Sequence, residues 1–166
     1  MKGNCLALLT EKGSLTDLMT RLMGRAPSLN CLMEGKDYPT PQERQMLNIR
    51  PRSYAHIREI TMGTENTQWL FARTVIPLTS LNGAAKRLTR MDNKPLGKIL
   101  FGRNRALRKN MRLDLIMDDP QSMVPFTIAQ GFPLWQRCST FELKTGPLII
   151  SEIFLPDCPI YSGSYE

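Results

Sequence analysis

The alternation of apolar and polar positions divides the chain into short elements. Ser14-Leu15-Thr16-Asp17 has the form of a capping box, with Ser14 as N-cap and an acid three residues on. Leu15, Leu18, Met19 and Leu22 then follow at helical spacing, and Gly24 ends the run. Thr40-Pro41 opens a short helix through Leu47. Residues 54–62 (YAHIREITM) and 68–76 (QWLFARTVI) read as strands separated by turn residues, which predicts a hairpin. Leu81, Ala84, Ala85 and Leu88 mark a helix entered from Thr79 or Ser80. Asp92-Asn93 breaks it, and Pro95 opens another with Leu96, Ile99 and Leu100 inward. Residues 112–117 alternate as a strand, 118–133 hold three prolines and read as a loop, and 134–143 and 147–155 are strands joined by Lys144-Thr145-Gly146. No repeat, low-complexity tract or linker interrupts this order, so the chain reads as a single domain over 1–166. Strands joined by short turns predict an α+β fold, an antiparallel sheet of about five or six strands with helices against it.

Two of these strands carry a charge where the pattern asks for none. In WLFARTVIP one face holds Trp69, Phe71, Arg73 and Val75, and the other Leu70, Ala72, Thr74 and Ile76. In PLIISEIFLP, Glu152 is the one formal charge in an apolar run, on a face with Leu148, Ile150 and Phe154. A buried guanidinium costs several kcal/mol, roughly, unless an anion meets it. Either Arg73 and Glu152 pair with each other, or both face a pocket in which a ligand carboxylate meets Arg73 and a ligand hydroxyl meets Glu152. Spacing leaves both readings open. Arg137, on a face with Trp135, Ser139 and Phe141, serves a second anionic group or carries its charge to the sheet edge on its long stem, and the second reading is preferred. Arg58 beside Glu59 reads as half of a cross-strand pair at the sheet surface.

Composition narrows the chemistry. The 166 residues carry a formal charge of +7, which suits anionic partners of any size. The basic run Arg103, Arg105, Arg108, Lys109 and Arg112 has little aromatic interleaving, so it reads as a solvated face rather than a nucleic-acid surface. A helix-turn-helix reader over 80–101 is poorly served by Gly83 and Pro95. Four scattered cysteines with no C-x-x-C spacing argue against zinc and read as free thiols. His56 is the one histidine, which excludes multi-histidine sites, and it reads as an ordinary strand residue. No P-loop, G-x-S-x-G or G-x-G-x-x-G is present. No apolar run is long enough to span a bilayer, and the short apolar stretch at the start is a poor signal peptide. A cytoplasmic protein is expected, and a monomer, because no exposed apolar helix face stands out.

The blocks REI, WLFARTVIP, LTSLNGAAKRL, NKPLGKILF, LWQRCSTFEL and PLIISEIFLP, in this order, resemble the chorismate pyruvate-lyase family. The similarity spans most of the chain and is strongest over 57–101 and 134–161. It implies conversion of chorismate to 4-hydroxybenzoate and pyruvate, the first committed step of ubiquinone biosynthesis, with no metal and no organic cofactor. It also implies helical flaps that enclose the ligand. By motif match, Arg73 would bind the ring carboxylate, helped by backbone N–H groups of Leu134 and Leu15, and Glu152 would meet the ring hydroxyl. Gly97 falls in a flap, where a missing side chain allows close packing on the ligand. Leu15 stands where the family has methionine, and the 118–133 loop is longer than the family's. The same fold also serves as the ligand-sensing half of GntR-type transcription regulators, so a non-catalytic sensor is the competing reading. A basic nucleic-acid module is a third, supported by charge alone.

Overall fold

The computed structural model of the chain describes residues 2–102, 106–117 and 133–162. A six-stranded, wholly antiparallel sheet runs β1-β2-β3-β6-β5-β4, formed by β1 (Ser28–Asp37), β2 (Ala55–Gly63), β3 (Gln68–Pro77), β4 (Leu107–Ile116), β5 (Leu134–Leu143) and β6 (Gly146–Phe154). The two predicted hairpins are β2–β3 and β5–β6, and they meet at the centre through β3 and β6. Gly146 turns the second hairpin at φ 140°, a conformation side chains rarely adopt, and a Cβ there would strike Ser80.

Helices cover both faces. On one, α1 (Lys2–Thr10) and α2 (Leu15–Met23) pack Leu8, Leu18 and Met19 on Ile60, Leu70 and Phe154. The same face receives a flap, in which Leu81, Leu88 and Leu100 pack on Ile76, Phe141 and Leu148. The predicted helix of the 80s is a 3-10 helix, Gly83–Thr89, with no side-chain cap and with its first residue at φ 56°. After it, α4 (Gly97–Leu100) is a single turn. On the opposite face, α3 (Pro41–Leu47) lays Leu47 on Ala55, Ile57, Val75 and Ile149. The predicted caps form: Ser14 Oγ accepts from the Asp17 N–H at 3.2 Å, and Thr40 and Glu43 make a full capping box.

The helix α1 and two strands escaped the sequence pattern. The strand β1 is interrupted by a bulge at Leu32, between the pairs Cys31–Ile60 and Met33–Glu59, so its alternation changes phase midway. β4 begins at Leu107 rather than 112 and holds a second bulge at Lys109, between the pairs Arg108–Phe141 and Asn110–Thr140. Both bulges lie on the edge strands. Of the predicted loop, 118–132 lie outside the described residues.

Arg73 is the structural centre of the α3 face. It is 6% exposed; Nε donates to Glu43 Oε1 at 2.7 Å, Nη2 to Glu43 Oε2 at 3.0 Å, and Nη1 to Glu59 Oε1 at 2.7 Å. Burial opposes its charge, but the two carboxylates outweigh burial and hold its pKa above the ordinary arginine value. The anion it requires is therefore an internal pair of glutamates, not Glu152, which sits on the other face of the sheet opposite Ala72. Glu43 also accepts the Thr40 N–H, so one carboxylate joins the start of α3 to the sheet. Glu43→Ala is expected to cost about 3 kcal/mol or more, because it strands a buried charge. Glu59→Ala, at a side chain 22% exposed, should cost about 1 kcal/mol. Urea unfolding of the two variants checks this order.

Candidate functional site

A pocket lies between the sheet and its helical cover. Its floor is Ile60, Met62, Ala72, Thr74 and Ile150, and its roof is the start of α2 with Pro95, Leu96, Gly97, Leu100 and Phe101 of the flap. The two roof pieces touch at Gly97, where a Cβ would sit 2.8 Å from Ser14 Oγ. The glycine thus allows flap and α2 to close on each other.

Charge is concentrated at the two ends. At one end stands Arg58 of β2, 2% exposed. Its Nη2 donates to the carbonyls of Asp92 (2.8 Å) and Lys94 (2.7 Å), while its Nε is buried with no partner among the described residues. Glu34 lies 4.0 Å from that Nε, but its two oxygens are taken up by the N–H groups of Met91 and Asp92, each at 2.8 Å. Burial lowers the Arg58 pKa, and Glu34 only partly offsets this. The bulge at Leu32 turns Glu34 to this face, and Asn93, which accepts the Cys31 N–H at 2.8 Å, fastens the same turn to β1.

The other end holds Arg137, Glu152 and Arg108. Arg137 is wholly buried, its Nε donating to Glu152 Oε2 at 2.6 Å and its Nη1 to the carbonyls of Glu11 (2.9 Å) and Leu8 (3.3 Å). Glu152, 12% exposed, keeps Oε1 without a hydrogen bond among the described residues. Arg108 lies 4.8 Å from the Phe141 ring centre and donates Nη1 to the Lys12 and Glu11 carbonyls at 2.7 and 3.2 Å. Arg58 pairs with Thr74, and Ala72 with Glu152, so the two ends are two strands and two residues apart, about 12 Å between Cα atoms. Such a pocket can take a flat, apolar-bodied molecule with polar groups at both ends.

Of the residues singled out in the sequence, Leu15, Gly97, Arg137 and Glu152 line this pocket. Arg73 and Leu134 do not. Arg73 is consumed on the α3 face, and Leu134 packs with Phe71, Ile153 and Leu155 on that same side. Arg137 does not reach solvent, Arg58 is not a surface pair, and Arg108 is not on a solvated face. Arg58 was missed because Arg and Glu are adjacent in REI, and alternation does not say which of the two faces a ligand. The missing signal for Arg108 is the bulge at Lys109. Counting by twos from Leu113 and Leu115 places Arg108 outward, and one extra residue turns it in.

Comparison with known proteins shows the family. The sequence model of the Chorismate lyase family matches residues 3–165. The chain belongs to that family. It is 32% identical over 158 residues to the chorismate pyruvate-lyase of Hamiltonella defensa, covering 94% of this chain and 80% of that one. The chorismate pyruvate-lyase of Yersinia enterocolitica is also 32% identical, with 93% and 82% covered. Among solved structures, the effector domain of PhnF from Mycobacterium smegmatis superposes with a TM-score of 0.62 at 12% identity, over 87% of this chain and 90% of that one. A GntR-family regulator from Enterococcus faecalis gives 0.53 at 13%, over 78% and 89%. These last two share the fold. No helix among the described residues is long and apolar enough to cross a membrane, and no cluster of metal-binding side chains occurs among them.

His56 adds a pH dependence beside the Arg58 end. It is buried, with Nε2 lacking a hydrogen-bond partner among the described residues and 3.7 Å from Glu34 Oε1. Burial lowers its pKa below 6.5, more than Glu34 raises it, and Arg58 lowers it further. The unfolded chain then binds more protons than the native state below 6.5. The stabilisation is full above that pH and is lost as pH falls through the native pKa. Urea titrations between about pH 7 and 5 should show wild type losing stability more steeply than His56→Leu.

Proposed function

We propose that this protein converts chorismate to 4-hydroxybenzoate and pyruvate, with Arg58 rather than Arg73 as the anchor for the ring carboxylate. The observation that carries the reading is the pocket itself. In a member of the chorismate lyase family, it sets the buried guanidinium of Arg58 across an apolar floor from Glu152, whose Oε1 has no hydrogen bond among the described residues. A planar guanidinium matches a carboxylate. Glu152 Oε1 can accept the hydrogen bond of the C4 hydroxyl para to it. The α2 start contributes the Leu15 N–H, which has no acceptor within its own helix.

The reaction breaks the bond between ring C3 and the ether oxygen, removes the proton on C4, and leaves an aromatic ring. The enolpyruvyl methylene can take that proton through a six-membered path as the ether bond breaks, so pyruvate forms directly and no protein base is required. The protein then has two tasks: to hold the side chain over C4 in that geometry, and to stabilise negative charge on the departing oxygen. Leu96, Gly97 and Phe101 close the apolar roof over the ring. We further read the enzyme as working without a cofactor, in the cytoplasm, as a monomer, and on the route to ubiquinone.

The test is to incubate the purified protein with chorismate and follow 4-hydroxybenzoate by chromatography and pyruvate by a lactate dehydrogenase couple. Equimolar products are expected. No turnover, with tight binding of another metabolite, would favour the sensor. Arg58→Met should lower kcat/KM by about 100-fold, the worth of a charged hydrogen-bonding pair. An Arg73→Met enzyme assayed well below its melting temperature should retain most of its turnover.

A further inference from the structure

The Arg58 end and Glu152 account for the polar groups of the product, but not for the second carboxylate of the substrate. The hydroxyl end of the pocket carries an unbalanced charge. Arg137 and Arg108 both donate to the Glu11 carbonyl, so the two guanidiniums share one oxygen. Glu152 bonds Arg137 and neutralises one of them. The Glu11 carboxylate turns away, to the Gly13 N–H at 2.6 Å and to Arg21 at 3.7 Å. Arg108 has no carboxylate within 4 Å among the described residues, and its Nε is buried and unpartnered there. Burial and then the Arg137 charge lower its pKa, and the more distant Glu152 and Glu11 carboxylates only partly offset this. Its place in the pocket wall is built by the bulge at Lys109 and by the rings of Phe101 and Phe141, 5.7 and 4.8 Å away.

Resting on the lyase reading, we propose that Arg108 is the residue that binds the enolpyruvyl carboxylate and so distinguishes substrate from product. The enolpyruvyl group leaves from C3, next to the C4 hydroxyl, so its carboxylate is carried to the Glu152 end, where Arg108 stands. Arg137 is already committed, its Nε to the Glu152 carboxylate and its Nη1 to the Leu8 and Glu11 carbonyls. The same cation stabilises the charge that gathers on the side chain as the ether bond breaks. After reaction, 4-hydroxybenzoate has no group for Arg108.

The test compares two ligands in one pocket. Wild type, Arg108→Met and Arg108→Lys are assayed for kcat/KM on chorismate and, by calorimetry, for the Kd of 4-hydroxybenzoate. Arg108→Met is expected to lose about 10- to 100-fold in kcat/KM while its Kd for 4-hydroxybenzoate stays within about threefold of wild type. Arg108→Lys should recover part of the loss. A parallel weakening toward both ligands would make Arg108 a packing residue and overturn the proposal, as would an unchanged kcat/KM. If Arg108→Met does not fold, the same comparison on Arg108→Lys decides. Failure of wild type to turn over chorismate would instead overturn the lyase reading, before any variant is made.

Discussion

A guanidinium withdrawn from water must be met at its N–H groups, and that requirement organises this sheet. Three arginines, at 58, 73 and 137, stand buried on its central strands. Arg73 is fully met by Glu43 and Glu59, and the result is structural: it ties α3 to the sheet and closes that face. Arg137 is met by Glu152 and two carbonyls of the α1 region, and so joins the last strand to the helical cover. Arg58 donates to two carbonyls of the flap, and its Nε has no hydrogen-bond partner among the described residues. Complete pairing makes an arginine part of the scaffold, whereas incomplete pairing beside a cavity leaves it able to bind.

The two edge strands supply what the centre lacks. Each carries one extra residue, and each places a charged side chain on the pocket face beyond or beside it: Glu34 after Leu32, Arg108 before Lys109. Bulges are well suited to this, because they change the phase of a strand without breaking its pairing. Glu34 then holds the turn that carries the carbonyl partners of Arg58. Asp92 in that turn has a φ of 47°, unusual for a residue with a side chain, and is kept there by Glu34 on its N–H and Arg58 on its carbonyl. Arg58 at one end of the pocket and the roof above it are therefore a single hydrogen-bonded unit.

Much of the architecture was legible in the chain. The caps at Ser14 and Thr40, the two hairpins, the stop at Gly24 and the α+β class follow from local rules, because caps, turns and alternation act over a few residues. The family was also legible, since its blocks recur in order. So was the fact that buried charges at 73 and 152 require partners. The pairings were not. Arg73 finds a glutamate thirty residues earlier, on a helix whose capping box already explained that glutamate. Arg137 and Glu152 read as separate cases until register set them opposite each other.

By itself, then, the sequence determined most of the elements and their order, the class of fold, and which strands bear charges that must be compensated. Tertiary structure decided which side of the sheet holds the pocket. The physical reason is that a strand's alternation sorts residues into two faces but gives neither an identity. Arg58 and Arg73 sit on neighbouring strands with equal claims, and only the packing of α3 on one side and of α2 with the flap on the other separates scaffold from site. Arg108 depends on more still, because a one-residue bulge on an edge strand reverses its face, and nothing local in the run of basic residues marks where that bulge falls.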